Sequence, residues 1–252
     1  MPKLALGMSR MPSPVAAGTA GLGLATARAL AEEGVHVAVC GRDTDRLAEA
    51  LAVLGPRAVG LVADMSAAGG PEEFAAGAVE RLGGPIDIVV ANAGGPPPGS
   101  ASSTSVEAFR AASELNFLST VALVQSVVGG MRANGWGRVL AITSVGARQP
   151  IPSLAASTSA RAATTAFIKN LATEVAGDGV TANTIQPGSH RTARMAQLRG
   201  EDRDDLLRSI PAGRLGEAAD FGAVAAFLCS EQANFVCGAS VIVDGGASRG
   251  LQ

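Results

Sequence analysis

Three places in the chain carry residue types that could do chemistry. The stretch Ala17-Gly18-Thr19-Ala20-Gly21-Leu22-Gly23 is a glycine-rich turn that opens a helical pattern. Such a turn lets backbone N–H groups approach a diphosphate, and the helix start adds partial positive charge. Ser157 and Arg161 stand at i and i+4 of another predicted helix and project from one face. A serine hydroxyl is a very weak acid; an arginine keeps its charge and can stabilise an oxyanion or hold ribose hydroxyls. His190, in the turn Pro187-Gly188-Ser189-His190, titrates in a range that suits acid–base work, although a lone loop histidine is more often a packing residue. The chain has no tyrosine, and its only lysines are Lys3 and Lys169.

The elements that would position these groups are legible from periodicity. Apolar, β-branched runs at Val35–Cys40, Ala58–Ala63, Ile86–Ala91, Arg138–Thr143, Val180–Ile185 and Ser240–Val243 predict short buried strands. A helix is predicted over Leu22–Glu33, stopping at Gly34. Asp43 suits the cap of the next helix, where Leu47, Leu51 and Leu54 form a stripe. Pro71 fits a first helical position followed by Glu72 and Glu73, and Thr104 with Glu107 has capping-box spacing. This alternation predicts parallel βαβ units, hence an α/β, Rossmann-type doubly wound sheet of about seven strands in a single domain over 1–252. The run Gly94-Gly95-Pro96-Pro97-Pro98-Gly99 is a loop within it. The first strand must come from residues 10–15, where Pro12 and Pro14 lack ladder donors, so it is expected to be very short or distorted.

Composition narrows the function classes. Hydrophobic residues at 47% against 17% charged provide a large core, and 3% aromatics mean it is built from Ala, Val, Leu and Ile. A net charge of −2 provides no basic field for nucleic acid or anionic lipid. No apolar run approaches the roughly 18–20 residues that a membrane span needs. Cys40, Cys229 and Cys237 are odd in number and lack metal-ligand spacing, which predicts reduced thiols, no metal and a cytoplasmic setting. The expected partner is a small-molecule substrate.

The turn at Ala17–Gly23 resembles the TGxxxGxG turn of the short-chain dehydrogenase/reductase family, with Ala16 and Ala17 where Thr and the first Gly stand. Gly18 is expected to take over the bend there, because alanine tolerates positive φ poorly. Asp64-Met65-Ser66, Asn92-Ala93-Gly94, Pro187-Gly188 with Thr192, Arg214-Leu215-Gly216 and Asp244-Gly245-Gly246 resemble further family signatures in order, from about Leu6 to Gly246. The resemblance implies a dinucleotide held by Ala17, Gly18, Thr19, Gly21, Leu22, Gly23, Arg42, Asp64, Met65, Asn92, Ala93, Gly94, Pro187, Gly188 and Thr192. Cys40-Gly41-Arg42 ends strand two where NAD-binding members carry a carboxylate, so Arg42 suits a 2′-phosphate. NADP is the expected cofactor and NAD the alternative, since Ala20 is not basic.

The same resemblance implies catalytic roles. Ser144 matches the family's substrate-binding serine, and Asn116 matches the asparagine that anchors its relay water. The family's Tyr and Lys positions hold Ser157 and Arg161. A substrate lid over Thr192–Ser209 and a homodimer or homotetramer built through helices near 115–133 and 156–176 are also implied. Three functions stay open. One is NADPH-dependent reduction or oxidation of a carbonyl, hydroxyl or imine compound, with the proton from His190, water or the substrate. Another is a lyase, isomerase, dehydratase or cyclase reaction that polarises a carbonyl with Ser144, Ser157 and Arg161. The third is a catalytically silent nucleotide-binding subunit.

Overall fold

A computed structural model describes residues 11–192 and 200–251, without side-chain detail at 200–202. Its strands are β1 (Pro12–Val15), β2 (His36–Gly41), β3 (Val59–Val62), β4 (Ile88–Ala91), β5 (Gly137–Ile142), β6 (Val180–Pro187) and β7 (Ser240–Val243). They form one parallel sheet in the order β3-β2-β1-β4-β5-β6-β7. The order reverses direction after β1, which is where a doubly wound sheet opens a crevice at its carboxyl edge.

The helices are α1 (Gly21–Glu32), α2 (Thr44–Leu54), α3 (Gly70–Leu82), α4 (Val106–Ser113), α5 (Ser119–Asn134), α6 (Ala155–Val175), α7 (Gly200–Ser209) and α8 (Ala218–Leu228). Strand residues alternate between two cores. Val89, Ala91, Val139 and Ala141 face α3, α5 and α6 through residues such as Phe74, Leu123 and Ile168. Val90, Leu140, Ile142 and Ile185 face α1, α2 and α8 through Leu30, Leu47 and Phe221. Both faces of β2, β4, β5 and β6 are buried, which is why these segments read as continuous apolar runs.

The two prolines of β1 have a physical explanation. The Pro12 carbonyl accepts from the Asp87 N–H, so residues 12 and 14 turn their peptide groups toward β4. Both missing donors therefore fall on that side. The ladder to β2 stays complete over four pairs, from Pro12↔His36 to Val15↔Val39. The ladder to β4 contracts to Val15↔Val90. The strand is short, and distorted on one edge only.

Local signals held with two corrections. Asp43 caps α2, its carboxylate accepting from the Asp45 and Arg46 N–H groups at 3.0 Å. The cap of α4 is Ser105, whose hydroxyl accepts from the Ala108 N–H, and Thr104 instead donates to the Ser100 carbonyl at 2.7 Å. The second correction concerns apolar length. α4 and α5 run on through a π-helical turn, Glu114–Leu118. The resulting 29-residue helix, Val106–Asn134, is long and apolar enough by length and composition to cross a membrane. Its inward side, Leu123, Val124, Val127 and Met131, packs into the α3–α6 core.

Phe74 is 1% exposed at the centre of that core. Phe74→Ala should cost about 3–5 kcal/mol. Thermal unfolding checks this: the midpoint should fall by about 2–4 °C per kcal/mol lost.

Candidate active site

The turn after β1 begins the site. Ala17 itself adopts φ +45°, so the bend that was expected at Gly18 falls one residue earlier, on an alanine. Gly18 is required for a different reason: a Cβ there would meet Val39 Cγ1 at 2.7 Å and the Val15 carbonyl at 3.0 Å. Gly23 lets α1 close on the turn, since its Cβ would lie 2.5 Å from the Ala17 carbonyl and 2.6 Å from Asn92 Nδ2. Asn92 Nδ2 donates to the Ala17 carbonyl at 3.2 Å, tying the turn after β1 to the turn after β4. A single strained alanine thus becomes a fixed point of the site.

A cleft of about 610 Å³ lies along this edge. All fifteen expected cofactor contacts except Gly18 and Gly188 line it. Gly18 packs beneath on Val39, and Gly188 packs against Asp244. Arg42 Nη1 lies 3.6 Å from Asp64 Oδ2 at the β2–β3 corner. Asp64 also accepts from the Ser66 hydroxyl at 2.6 Å and the Ser66 N–H at 2.9 Å, and the hydroxyl bond chiefly holds its carboxyl below the usual range. Arg46, Leu115 and Thr143 line the cleft too, unanticipated in sequence. Arg46 was hidden as an ordinary residue of the first turn of α2. Burial pushes the Cys40 thiol in the cleft up to about 11, so it is inert at neutral pH.

Of the five expected catalytic residues only Arg161 reaches the cleft wall. Its Nη1 donates to the Ile142 and Thr143 carbonyls, both at 2.9 Å, its Nη2 to the Ala93 carbonyl at 3.3 Å, and its Nε to the Ser157 hydroxyl at 3.3 Å. Ser144 starts the turn Val145–Ala147, its Oγ accepting from the Gly146 N–H at 3.0 Å. The Ser144 O–H is thereby left to donate elsewhere. Asn116 sits on the π-helical turn, buried, and its backbone carbonyl accepts from the Thr120 and Thr164 hydroxyls at 2.9 and 3.0 Å. The Asn116 Oδ1 is buried without a hydrogen-bond partner among the described residues.

His190 is placed elsewhere. It is 4% exposed, and its ring stands edge-on to Phe221 at 5.3 Å. Its Nδ1 lies 3.1 Å from the Gly188 carbonyl, and a Cβ on Gly216 would collide with the ring at 2.6 Å. The structure does not bring His190 to the cleft, contrary to the expectation that it could donate a proton there. Its surroundings make it a packing residue that supports the Pro187-Gly188 turn. Of the expected lid, Thr192 and α7 are described, and residues 193–199 lie outside the described residues.

A family model described as enoyl-(acyl carrier protein) reductase matches residues 16–248. The chain belongs to the short-chain dehydrogenase/reductase family. Dehydrogenase/reductase SDR family member 4 from Sus scrofa is 33% identical over 243 residues, covering 94% of this chain and 87% of that protein. A protein from Xanthobacter autotrophicus named inactive 2-(S)-hydroxypropyl-CoM dehydrogenase 2 is 34% identical over 226 residues, covering 87% of this chain and 98% of that one. Among solved structures, L-sorbose reductase from Gluconobacter frateurii, complexed with NADPH and L-sorbose, superposes with a TM-score of 0.90 at 29% identity, covering 98% and 100% of the two chains.

Against this short-chain dehydrogenase/reductase background, one departure is chemical. The ionisable residues lining the cleft, among those described, are Cys40, Arg42, Asp43, Arg46, Asp64 and Arg161, and Arg161 alone stands at the β4–β5 end. Among the described residues that end of the cleft holds a guanidinium and no carboxylic acid, imidazole or thiol.

The Gly23→Ala variant tests the tie between the two turns. Its methyl should break the Asn92–Ala17 bond and cost about 1–3 kcal/mol. Thermal unfolding should show that loss, and unchanged stability would remove the tie from the account.

Proposed function

We propose that this member is an NADP(H)-dependent oxidoreductase acting on a small carbonyl, hydroxyl or imine compound without a protein-borne acid. The observation that carries the reading is a dinucleotide-sized cleft whose β4–β5 end, among the described residues, carries no titratable proton donor. The peptide N–H groups around Gly21 and Leu22, at the start of α1, would hold the diphosphate. Arg42 and Arg46 flank the corner where a 2′-phosphate would sit. The Arg42–Asp64 pair is solvent-exposed and worth under about 1 kcal/mol, so a dianionic phosphate can compete for Arg42. Bound NADPH would supply the hydride.

The protein's own contribution is orientation and polarisation. Ser144, next to Thr143 of the cleft wall, would turn its O–H to the substrate oxygen or nitrogen. Reducing a neutral ketone leaves an alkoxide that needs a proton at once, whereas an iminium carries its proton in and leaves as a neutral amine. The residues therefore favour imines over ketones. The Gluconobacter relative binds NADPH and a sugar, which supports the cofactor. A homo-oligomer through α5 and α6 in a cytoplasmic setting belongs to the same proposal.

A second reading is nucleotide binding without turnover, favoured by the absent phenol and by the relative whose name calls it inactive. Fluorescence titration with NADPH and NADH, followed by NADPH oxidation on matched cyclic imines and ketones, separates the two. The proposal expects tighter NADPH binding and faster imine reduction, with a rate that follows the iminium fraction and falls as pH rises. Binding without oxidation of any substrate would favour the silent reading; failure to bind either dinucleotide would end both.

A further inference from the structure

We propose that Arg161 is a cross-strand clamp and not a ribose ligand. It fixes the tips of β4 and β5 so that the nicotinamide half of the dinucleotide finds a formed floor. This rests on the NADP(H) reading above.

Ala93 lies in the turn beyond β4, and Ile142 and Thr143 end β5 immediately before Ser144. Three carbonyl oxygens from two strands converge on one half-buried place, where their partial negative charges repel unless a cation lies among them. A guanidinium meets this need because its donors are spread over a rigid plane. Nη1 serves β5 through two bonds of 2.9 Å, while Nη2 reaches β4 at 3.3 Å. An ammonium concentrates its donors on one atom and cannot span the two strands in the same way.

Ser157 completes the clamp. Its hydroxyl, 9% exposed, accepts from Nε at 3.3 Å one helical turn earlier, so α6 holds the Nε side of the guanidinium while the strand ends hold the other. One turn later Thr164 donates to the Asn116 carbonyl at 3.0 Å, fastening the π-helical turn to the same helix. The serine and arginine thus work as a positioning pair whose bonds lie within the protein. The Ser144 turn and the Ala93 turn are held by the same side chain.

Two measurements on the full chain test this. In ligand-free protein, Arg161→Met should speed amide hydrogen exchange at residues 92–95 and 143–147 while leaving α8 unchanged. Arg161→Lys, which keeps the charge but loses the fork, should show the same pattern more weakly and guards against loss of fold in the first variant. In binding, Arg161→Met should weaken NADPH by about tenfold or more, equal to about 1.4 kcal/mol. Adenosine 2′,5′-bisphosphate, which carries only the adenine half, should bind either variant within about twofold of the parent. Unchanged exchange at both segments overturns the clamp even if NADPH weakens, because a direct ribose ligand would give that result. Equal weakening of both ligands overturns it as well, as damage to the whole cleft. If the parent protein binds neither ligand, the NADP(H) reading fails and this proposal falls with it.

Discussion

Carbonyl oxygens at the carboxyl edge of the sheet are the constraint on which the site depends. Parallel strands end there with peptide groups that the ladder no longer pairs, and a buried unpaired carbonyl costs about 1–3 kcal/mol. The protein joins this edge strand by strand. The Ala63 N–H reaches the Gly41 carbonyl between β3 and β2, and Asn92 bonds Ala17 between β4 and β1. Arg161 joins β4 to β5, the Thr143 N–H reaches the Ile185 carbonyl on β6, and the Gly188 N–H reaches the Val243 carbonyl on β7. The cleft is the concavity that these links leave open.

The position of Arg161 in that series changes how the pair with Ser157 is understood. A phenol and an ammonium at this spacing would face a substrate. A hydroxyl and a guanidinium face inward, toward carbonyls of the host fold. On the proposed reading the same helical geometry serves a mechanical purpose, with Arg161 bonded to the ends of two strands. Hydride transfer from such a site suits substrates that bring their own proton.

Most of the architecture was legible because the central strands are buried on both faces and the edge strands β3 and β7 are apolar though only half-buried, so six strands appeared as apolar runs within about two residues of their observed ends. The first strand was harder, since Pro12 and Pro14 carry the signature of exclusion, and only the direction of their missing donors reconciles them with an interior strand. Ala17 was misread because propensity favours the adjacent glycine, whereas the close approach of Val39 to Gly18 decided the matter. Ser105 displaced Thr104 as a cap because Thr104 found a nearer acceptor in Ser100. His190 shows the limit of spacing arguments: it follows the right turn, yet Phe221 and Gly216 draw its ring into the core. Arg46 gave no signal at all, being one charged residue among several in α2.

The central claim is that hydride moves here without a proton from the enzyme. Isotope effects on the best imine substrate test it most directly, using NADPH deuterated at the transferred position in both ordinary and heavy water. The account predicts a full primary effect from the deuterated cofactor and a solvent effect near unity when rates are compared at equal iminium fraction. A large solvent effect, arising in the same step as hydride transfer and titrating with a group of the protein, would contradict it.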